Sequence, residues 1–142
     1  MTEVSTVYVP VEKIGIRRRA SASIAVIGNP NSGKSTLFNR LTGLRQTTGN
    51  YPGVTVEKHS GIVQLGSSAL ALVDLPGIYC LGGFSADERL AVDVVLGRID
   101  ETPPPDGMLV VLDATHLYQG LYLVQQLMEM QVPMVVALTM SD

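Results

Sequence analysis

The sequence has no tryptophan and a single cysteine, Cys80, among its 142 residues. One cysteine cannot form an internal disulfide or a cysteine-rich metal site, and this scarcity fits a reducing, cytoplasmic setting. Long apolar runs are also missing. The longest, 108–112 and 133–138, fall far short of the ~20 residues that cross a bilayer, and the N-terminus shows no secretory signal pattern. We therefore expect this stretch of chain to be soluble.

Positive charge is scarce as well. Thirteen acidic residues against ten basic ones give a net charge of -3. Nucleic acid or an anionic membrane would need a broad basic face, which this composition does not supply. The basic cluster at 17–19 lies ahead of the first apolar strand, where a solvated tail is the favoured interpretation. We predict no binding of nucleic acid.

The length and the 46% hydrophobic content suit one domain with a single core. Residues 1–22 show neither alternation nor helical periodicity, which predicts a flexible N-terminal extension followed by one domain over 23–142. Within that domain, strand and helix patterns alternate. The predicted strands are 23–28, 56–65, 69–75, 108–113 and 134–138. The predicted helices are 35–41, a segment capped by Ser85 and ending near Ile99, and 118–130.

Alternating strands and helices predict the fold class. Parallel strands need a crossover helix between them, so the pattern indicates an α/β fold with a mostly parallel sheet and helices on both faces. The stretch from Gly43 to Val54 is rich in glycine, threonine and asparagine, and it is predicted to be a long mobile loop.

Residues 28–35, Gly-Asn-Pro-Asn-Ser-Gly-Lys-Ser, match the Walker A pattern. Gly28 and Gly33 allow a tight turn in which backbone N–H groups point at a phosphate, next to the positive end of a helix. Lys34 supplies a positive charge for the β and γ phosphates, and the Ser35 hydroxyl is placed to bind Mg²⁺. Because the motif lies between a predicted strand and a predicted helix, we favour a P-loop over an ordinary glycine-rich turn.

Three further positions gain meaning downstream of a P-loop. Asp74 ends an apolar strand at the sheet edge where open α/β folds bind ligands, so it is a candidate to hold Mg²⁺ through water. Gly77 would bring a backbone N–H to the γ phosphate. Thr55 lies in the predicted loop and would complete the Mg²⁺ shell once the γ phosphate draws that loop inward.

Four segments together resemble a known family: 28–35, Gly-Asn-Tyr-Pro-Gly-Val-Thr-Val-Glu-Lys at 49–58, Asp-Leu-Pro-Gly-Ile-Tyr at 74–79 and Leu-Asp-Ala-Thr at 112–115. They are similar to the cytoplasmic G domain of ferrous iron transport protein B, and the Tyr-Pro-Gly-Val-Thr-Val-Glu string is the specific part. The resemblance implies a Ras-like P-loop NTPase fold and slow, Mg²⁺-dependent GTP hydrolysis. It also implies coupling to a membrane iron-permease domain at the bacterial inner membrane, with oligomers formed through the parent protein.

The resemblance also implies a guanine nucleotide site for GTP or GDP. Its members come from the P-loop, the two segments that follow it and the end of the last strand: Gly28, Asn29, Pro30, Asn31, Ser32, Gly33, Lys34, Ser35, Thr36, Gly53, Val54, Thr55, Asp74, Pro76, Gly77, Thr139 and Asp142. The residues implied for catalysis are Lys34, Thr55 and Gly77. The residues implied for Mg²⁺ are Ser35, Thr55 and Asp74.

Two positions bear on the rate of hydrolysis. In the family, the P-loop asparagine that matches Asn31 is thought to help bind an activating K⁺. By similarity, Ile78 stands where a Ras-type enzyme keeps a glutamine that orients the attacking water. A hydrophobic side chain cannot hold that water, so the resemblance implies a low intrinsic rate and no catalytic base in the chain itself.

The segment that matches the base-reading motif Asn-x-x-Asp departs from it, because it begins with Thr139. Asp142 can accept hydrogen bonds from both guanine N–H groups. Thr139 is expected to be too short to reproduce an amide's contacts to the base and to the P-loop, at a cost of ~1–3 kcal/mol in nucleotide affinity or selectivity. Because Asp142 ends the sequence, we expect a domain truncated after this motif, with a terminal residue that frays.

Two alternatives remain open. The first is a module that binds nucleotide without turnover, since Thr139 and the truncation weaken the site. The second is a P-loop kinase for a nucleotide or a small molecule, which would need a lid rich in arginine. The central helical region offers only Arg89 and Arg98, so the kinase is disfavoured.

Overall fold

The computed structural model describes residues 5–9, 21–43, 46–100 and 102–140. Within them, one sheet has the strand order β1-β7-β6-β2-β5-β4-β3. Its strands are β1 Ser5–Val9, β2 Ser21–Gly28, β3 Gln46–Asn50, β4 Glu57–Leu65, β5 Ser68–Asp74, β6 Gly107–Asp113 and β7 Met134–Thr139. The α-helices are α1 Lys34–Thr42, α2 Ala86–Val95 and α3 Leu117–Met128. None of these helices is long and apolar enough to cross a bilayer.

The centre of the sheet is parallel and both of its edges are antiparallel. β2 pairs in parallel with β5 and with β6, and β6 pairs in parallel with β7. At the edges, β1 runs antiparallel to β7, while β4 and β3 continue antiparallel from β5. The predicted α/β class is therefore confirmed as a mixed sheet with a parallel centre. The carboxyl ends of the four central strands meet at one edge, which is where such folds bind ligands.

Helices cover both faces of the sheet, as predicted, because successive strand residues point to opposite faces. On one face, Phe38 of α1 packs with Val26, Leu72 and Val111. The other face carries the larger core, under α2 and α3. Its buried members include Ile27, Leu75, Leu90, Val110, Leu112, Leu123 and Leu127. Each large aliphatic side chain buried there contributes roughly 1.5–3 kcal/mol, so this core fixes the helices on the sheet.

The start of α2 follows from a short signal in the sequence. The Glu88 N–H donates to the Ser85 hydroxyl oxygen at 3.1 Å, and the Ser85 N–H donates to the Glu88 carboxylate at 3.4 Å. This reciprocal pair is the predicted capping box, and it satisfies two N–H groups that the first helical turn leaves unpaired.

The end of α2 comes earlier than predicted. Gly97, with φ at +71°, donates its N–H to the Val94 carbonyl at 3.1 Å. The next residue, Arg98, donates to the Asp93 carbonyl at 2.8 Å, which completes a Schellman motif. The helix therefore stops before Ile99. The other predicted strands and helices are observed within two residues of their predicted ends.

The composition of the stretch from Gly43 to Val54 predicted a long mobile loop, and this prediction is wrong for residues 46–50. Residues 46–50 form strand β3, which pairs antiparallel with β4. The threonines of this strand favour extended backbone, and an edge position tolerates its glycine. The connection to β4 is then a short turn at 51–56. Residues 44–45 lie outside the described part of the chain.

Parts of residues 1–22, which were predicted to be a flexible extension, form strands. Residues 5–9 form β1 and pair antiparallel with β7 along its whole length, from Ser5 opposite Leu138 to Val9 opposite Met134. The sequence Ser-Thr-Val-Tyr-Val is rich in strand-forming residues, a signal too short to be weighed alone. β2 also begins at Ser21, slightly before the predicted boundary. Residues 1–4 and 10–20 lie outside the described ranges.

Candidate functional site

The loop between β2 and α1 surrounds a cavity of about 550 Å³ at the carboxyl edge of the sheet. The lining comes from this loop, from the start of α1, from the loop after β5 and from the residue that follows β7. The lining residues are Asn29, Pro30, Asn31, Gly33, Lys34, Ser35, Thr36, Gly77 and Met140. All except Met140 are predicted nucleotide-binding residues. The fold therefore brings segments distant in sequence to one polar cavity.

Two glycines allow the backbone segments to pass this close to each other. A Cβ at Gly28 would lie 2.6 Å from the Val111 carbonyl oxygen, and a Cβ at Gly77 would lie 2.9 Å from the Pro30 Cα. Both distances are shorter than a van der Waals contact, so a larger residue would displace main chain. The approach of the P-loop to β6 and to the loop after β5 thus depends on these glycines.

Lys34 and Asp74 form an ion pair beside the cavity. The Lys34 Nζ lies 2.5 Å from the Asp74 Oδ1, and the two side chains are only 9% and 14% exposed. Lys34 is the first residue of α1 and Asp74 is the last of β5, so the pair links the P-loop helix to the sheet. A phosphate in the cavity would compete with Asp74 for the ammonium group. Binding of phosphate would release the Asp74 carboxylate from Lys34, so that the carboxylate could contact a cation.

The loop after β5 is bonded to the P-loop through main chain and one amide. The Ile78 N–H donates to the Gly28 carbonyl at 3.0 Å. The Asn29 amide, oriented so that both of its ends are satisfied, donates to the Ile78 carbonyl at 2.9 Å and accepts from the Gly120 N–H at 3.3 Å. The Ile78 side chain is buried in the core, 2% exposed. It therefore does not enter the cavity and cannot orient a water there.

Three predicted residues of the turn at 51–56 do not line the cavity. Gly53, Val54 and Thr55 are exposed between β3 and β4. The Tyr51 N–H donates to the Val56 carbonyl at 3.1 Å, which closes the turn. Because β3 and β4 pair up to this point, Thr55 is held at the tip of a hairpin. It would reach the cavity only if the hairpin moved.

Tyr51 is a residue near the site that the sequence analysis missed. Its ring is 1% exposed within the core, and its hydroxyl donates to the main-chain carbonyl of Asp74 at 3.1 Å. Burial, and secondarily the Asp74 charge, raise the pKa of the Tyr51 hydroxyl well above its ordinary value. The Lys58 ammonium lies 5.6 Å from the ring centroid, within the range of a cation–π contact. A lone aromatic residue in a polar, glycine-containing stretch was the available signal.

Thr139, at the end of β7, lies beneath the P-loop. Its Oγ1 donates to the Ser32 carbonyl at 2.5 Å and lies 3.1 Å from the Leu112 carbonyl. Threonine was expected to be too short to reproduce an amide's contacts to the base and to the P-loop. The P-loop part of this expectation is wrong, because the parallel pairing of β7 with β6 brings the hydroxyl within reach. The base part stays a prediction. Four other predicted nucleotide-binding residues do not line the cavity: Gly28, Ser32, Asp74 and Pro76. Asp142 lies outside the described residues.

The Leu-Asp-Ala-Thr segment does not line the cavity, and Asp113 within it is the N-cap residue of the short 3₁₀ helix that follows β6. Asp113 Oδ1 accepts from the Thr115 N–H at 2.8 Å and from the Thr115 hydroxyl at 2.5 Å. These bonds, mainly the one from the hydroxyl, lower the pKa of the Asp113 carboxyl. The segment therefore fixes the short turn that leads from β6 into α3.

Comparison with known proteins identifies the relatives of this chain. Residues 22–142 match the family model described as ferrous iron transport protein B. The chain is 48% identical over 120 residues to an Fe(2+) transporter FeoB of Leptospira biflexa, covering 84% of this chain and 17% of the relative. It is 47% identical over 121 residues to an Fe(2+) transporter FeoB of Legionella pneumophila, covering 82% of this chain and 15% of the relative. The chain thus spans about a sixth of these curated relatives.

Solved structures agree with the sequence matches. The crystal structure of the G domain of the T. maritima FeoB iron transporter matches with a TM-score of 0.72 and 40% identity, covering 80% of this chain and 69% of that one. A point mutant of S. thermophilus NFeoB bound to GDP matches with a TM-score of 0.73 and 46% identity, covering 82% of this chain and 44% of that one. These matches confirm the predicted fold class.

Proposed function

Because this chain belongs to the ferrous iron transport protein B family, we propose that it is a G domain that binds guanine nucleotide and hydrolyses GTP slowly. One observation carries the proposal. The predicted P-loop surrounds a polar cavity, with the buried Lys34 ammonium held beside it by Asp74. A crystallised relative of the same fold is bound to GDP. A cavity with a P-loop and a buried cation is suited to a nucleoside polyphosphate.

The proposed roles in nucleotide binding follow the positions of the residues. The P-loop, Gly28 to Ser35 with Thr36, surrounds the phosphates, and Lys34 binds the β and γ phosphates. Gly77 offers a backbone N–H to the γ phosphate, beside Pro76. Asp142 accepts from the guanine base. The proposed catalytic residues are Lys34, Thr55 and Gly77, because each would contact the transferred phosphate or the cation that neutralises it.

The residues beside the cavity fit Mg²⁺. The Ser35 hydroxyl is exposed and lines the cavity, and the Asp74 carboxylate lies behind Lys34 at the same edge. Hard oxygen donors of this kind are what Mg²⁺ prefers, with several waters retained. When bound, the cation would neutralise charge on the phosphates. Thr55 would join Ser35 and Asp74 only after the hairpin that carries it, together with Gly53 and Val54, has moved toward the cavity.

Two features support a slow reaction that depends on a monovalent cation. Ile78 is buried in the core, so this position supplies no group to orient an attacking water. Asn31 is exposed, has φ at +61° and lines the cavity, and we propose that its amide oxygen binds K⁺ there. We propose that transition-state charge is stabilised by the P-loop, Mg²⁺ and K⁺ rather than by a base within the chain.

The proposal for the whole protein extends beyond this chain. The relatives are Fe(2+) transporters several times longer than this chain. We propose that this G domain acts on the cytoplasmic face of the bacterial inner membrane, where its nucleotide state regulates a membrane iron-permease domain. Fe²⁺ is then the cargo of the parent protein. Oligomers would form through that parent.

Calorimetric titration with GDP, GTP and ATP in the presence of Mg²⁺ tests the proposal. We expect both guanine nucleotides to bind more tightly than ATP. Lys34→Ala should weaken GDP binding by on the order of 10- to 100-fold, because a charge-assisted bond to phosphate is lost. Arg40→Ala is the matched control: it removes one positive charge from the exposed face of the same helix and should leave binding unchanged.

Each outcome of this titration separates two readings of the site. Equal affinity for the three nucleotides, or none, would refute the guanine assignment. Calorimetric binding of GTP, with no phosphate released in a parallel phosphate assay, would favour the second candidate, a nucleotide-binding module without turnover. The burial of Ile78 is the observation that favours that candidate.

A further inference from the structure

Thr139 occupies the position where G proteins keep the asparagine of their base-reading motif, yet its surroundings are not those of a base contact. The side chain is 2% exposed. Met140, the next residue, lines the cavity, whereas Thr139 does not. A group that water barely reaches is closed to a base bound in the same cavity. Thr139 therefore has almost no surface to offer to the nucleotide base.

The Thr139 hydroxyl is engaged with the P-loop instead. Its oxygen lies 2.5 Å from the Ser32 carbonyl oxygen and 3.1 Å from the Leu112 carbonyl oxygen. A hydroxyl carries one proton, and both of these neighbours can only accept. The proton is therefore shared between the loop and strand β6, and the shorter contact is to the loop. The Thr139 side chain therefore links the P-loop to strand β6 in the centre of the sheet.

The same bond sets the direction of a backbone donor. In a planar trans peptide, the carbonyl oxygen and the following N–H point in opposite directions. Since the Ser32 carbonyl is turned toward Thr139, the N–H of Gly33 is directed away from Thr139. Gly33 lines the cavity with φ at +84°. Its N–H thus faces the side where a phosphate would lie, as in the backbone nests that hold anions.

We infer that Thr139 is a positioning residue for the P-loop, which holds the Ser32–Gly33 peptide in a phosphate-binding orientation, and that it takes no part in recognition of the base. This inference rests on the proposed function, because it requires the cavity to be a phosphate site. An asparagine at this position would contact both the base and the P-loop, whereas we assign only the contact with the P-loop to Thr139. Substitution of Thr139 should change affinity for the phosphates and leave discrimination between bases as it is.

The test measures affinity of the 142-residue chain for GDP, for ADP and for inorganic pyrophosphate, each with Mg²⁺. Pyrophosphate is followed by its displacement of GDP. Thr139→Val keeps the shape of the side chain and removes the hydroxyl. We expect it to weaken GDP and pyrophosphate equally, by about ten-fold, because the buried Ser32 carbonyl loses its donor. The ratio of GDP to ADP affinity should stay constant.

Two smaller variants isolate the hydroxyl. Thr139→Ser and Thr139→Ala both lose the methyl group, but only serine keeps the oxygen. We expect serine to bind both ligands nearly as well as the wild type and alanine to show the ten-fold loss. Thermal melting establishes that each variant is folded at the temperature of titration. The serine and alanine pair decides the question if the valine variant does not fold.

Three results would overturn the inference. A loss confined to GDP, with pyrophosphate unaffected, would mean that Thr139 contacts the base. Equal affinities of the serine and alanine variants would mean that the hydroxyl does not position the loop. Failure of pyrophosphate to displace GDP from the wild type would mean that the anchored loop is not a phosphate site. A wild-type chain that binds none of the ligands would instead refute the proposed function, and this inference with it.

Discussion

The buried hydroxyl of Tyr51 joins the turn after β3 to the end of β5, where Asp74 stands beside the P-loop lysine. Tyr51→Phe removes this hydrogen bond to the Asp74 carbonyl. We expect a loss of about 1 kcal/mol in the free energy of unfolding, measured by urea denaturation followed by circular dichroism. Tyr122→Phe is the control, because Tyr122 is 54% exposed and should tolerate the change. An equal loss in both variants would contradict a special role for Tyr51.

The ionisation of Tyr51 gives this bond a signature in pH. The folded state raises the pKa of Tyr51 above its ordinary value, chiefly by burial. The contribution of Tyr51 to the free energy of unfolding is therefore complete below the unfolded pKa of about 10. It declines as the pH rises above that value, because only the unfolded phenol ionises readily. We expect the stability advantage of the wild type over Tyr51→Phe to be constant near neutrality and to shrink above pH ~10. A difference independent of pH would contradict this.

At the scale of the residue, the sequence predicted most of the residues that line the cavity. It did not predict the contacts of the buried residues Thr139 and Tyr51. The P-loop residues follow a pattern whose chemistry is local, so their positions could be predicted from spacing. The contact of Thr139 with Ser32 spans 107 positions in sequence and depends on the parallel pairing of β7 with β6. No local pattern encodes such a distance. The burial of Tyr51 was missed for the same reason.

At the scale of the element, the end of α2 depends on one glycine. Gly97 has φ at +71°, and a Cβ there would lie 2.9 Å from Pro104 Cδ. Gly97→Ala combines left-handed strain of ~1–2 kcal/mol with this contact. The control is Gly66→Ala in the turn between β4 and β5, where φ is +60° and no atom lies within 4 Å of an added Cβ.

We expect both alanine variants to lower the urea midpoint, and Gly97→Ala to lower it further. Equal shifts would show that the contact with Pro104 relaxes without cost. The comparison separates backbone strain from crowding, since only crowding differs between the two sites.

Element boundaries that rest on local chemistry were predicted well. The capping box at Ser85 is an example, because its two hydrogen bonds lie within one turn. The sequence analysis missed the two edge strands because each becomes a strand only through hydrogen bonds to a neighbouring strand. β3 has a polar sequence typical of loops and is a strand through its bonds to β4, and β1 is a strand through its bonds to β7.

At the scale of the whole molecule, GTP hydrolysis would require the P-loop, the loop after β5 and the hairpin to act on one phosphate. No base is available at Ile78, so the rate should be low and should respond to the monovalent cation. We expect phosphate release to be faster in K⁺ than in Na⁺. Asn31→Gly should abolish the difference, because glycine accepts the φ of +61° without strain and removes the amide.

A rate that is the same in K⁺ and Na⁺ for the wild type would refute the cation role of Asn31. The control is the GDP affinity of the Asn31→Gly variant. Affinity close to that of the wild type would show that the P-loop keeps its shape.

The sequence by itself determined the α/β class, the order of most strands and helices, and the loop that we propose binds phosphate, because those depend on periodicity and on spacing within a few residues. Only the tertiary structure decided which strands close the edges of the sheet, that Lys34 and Asp74 pair, that Thr55 is held away from the cavity, and that Thr139 lies under the P-loop. The physical reason is that these contacts form between segments that only the pairing of strands and the packing of helices bring within bonding distance.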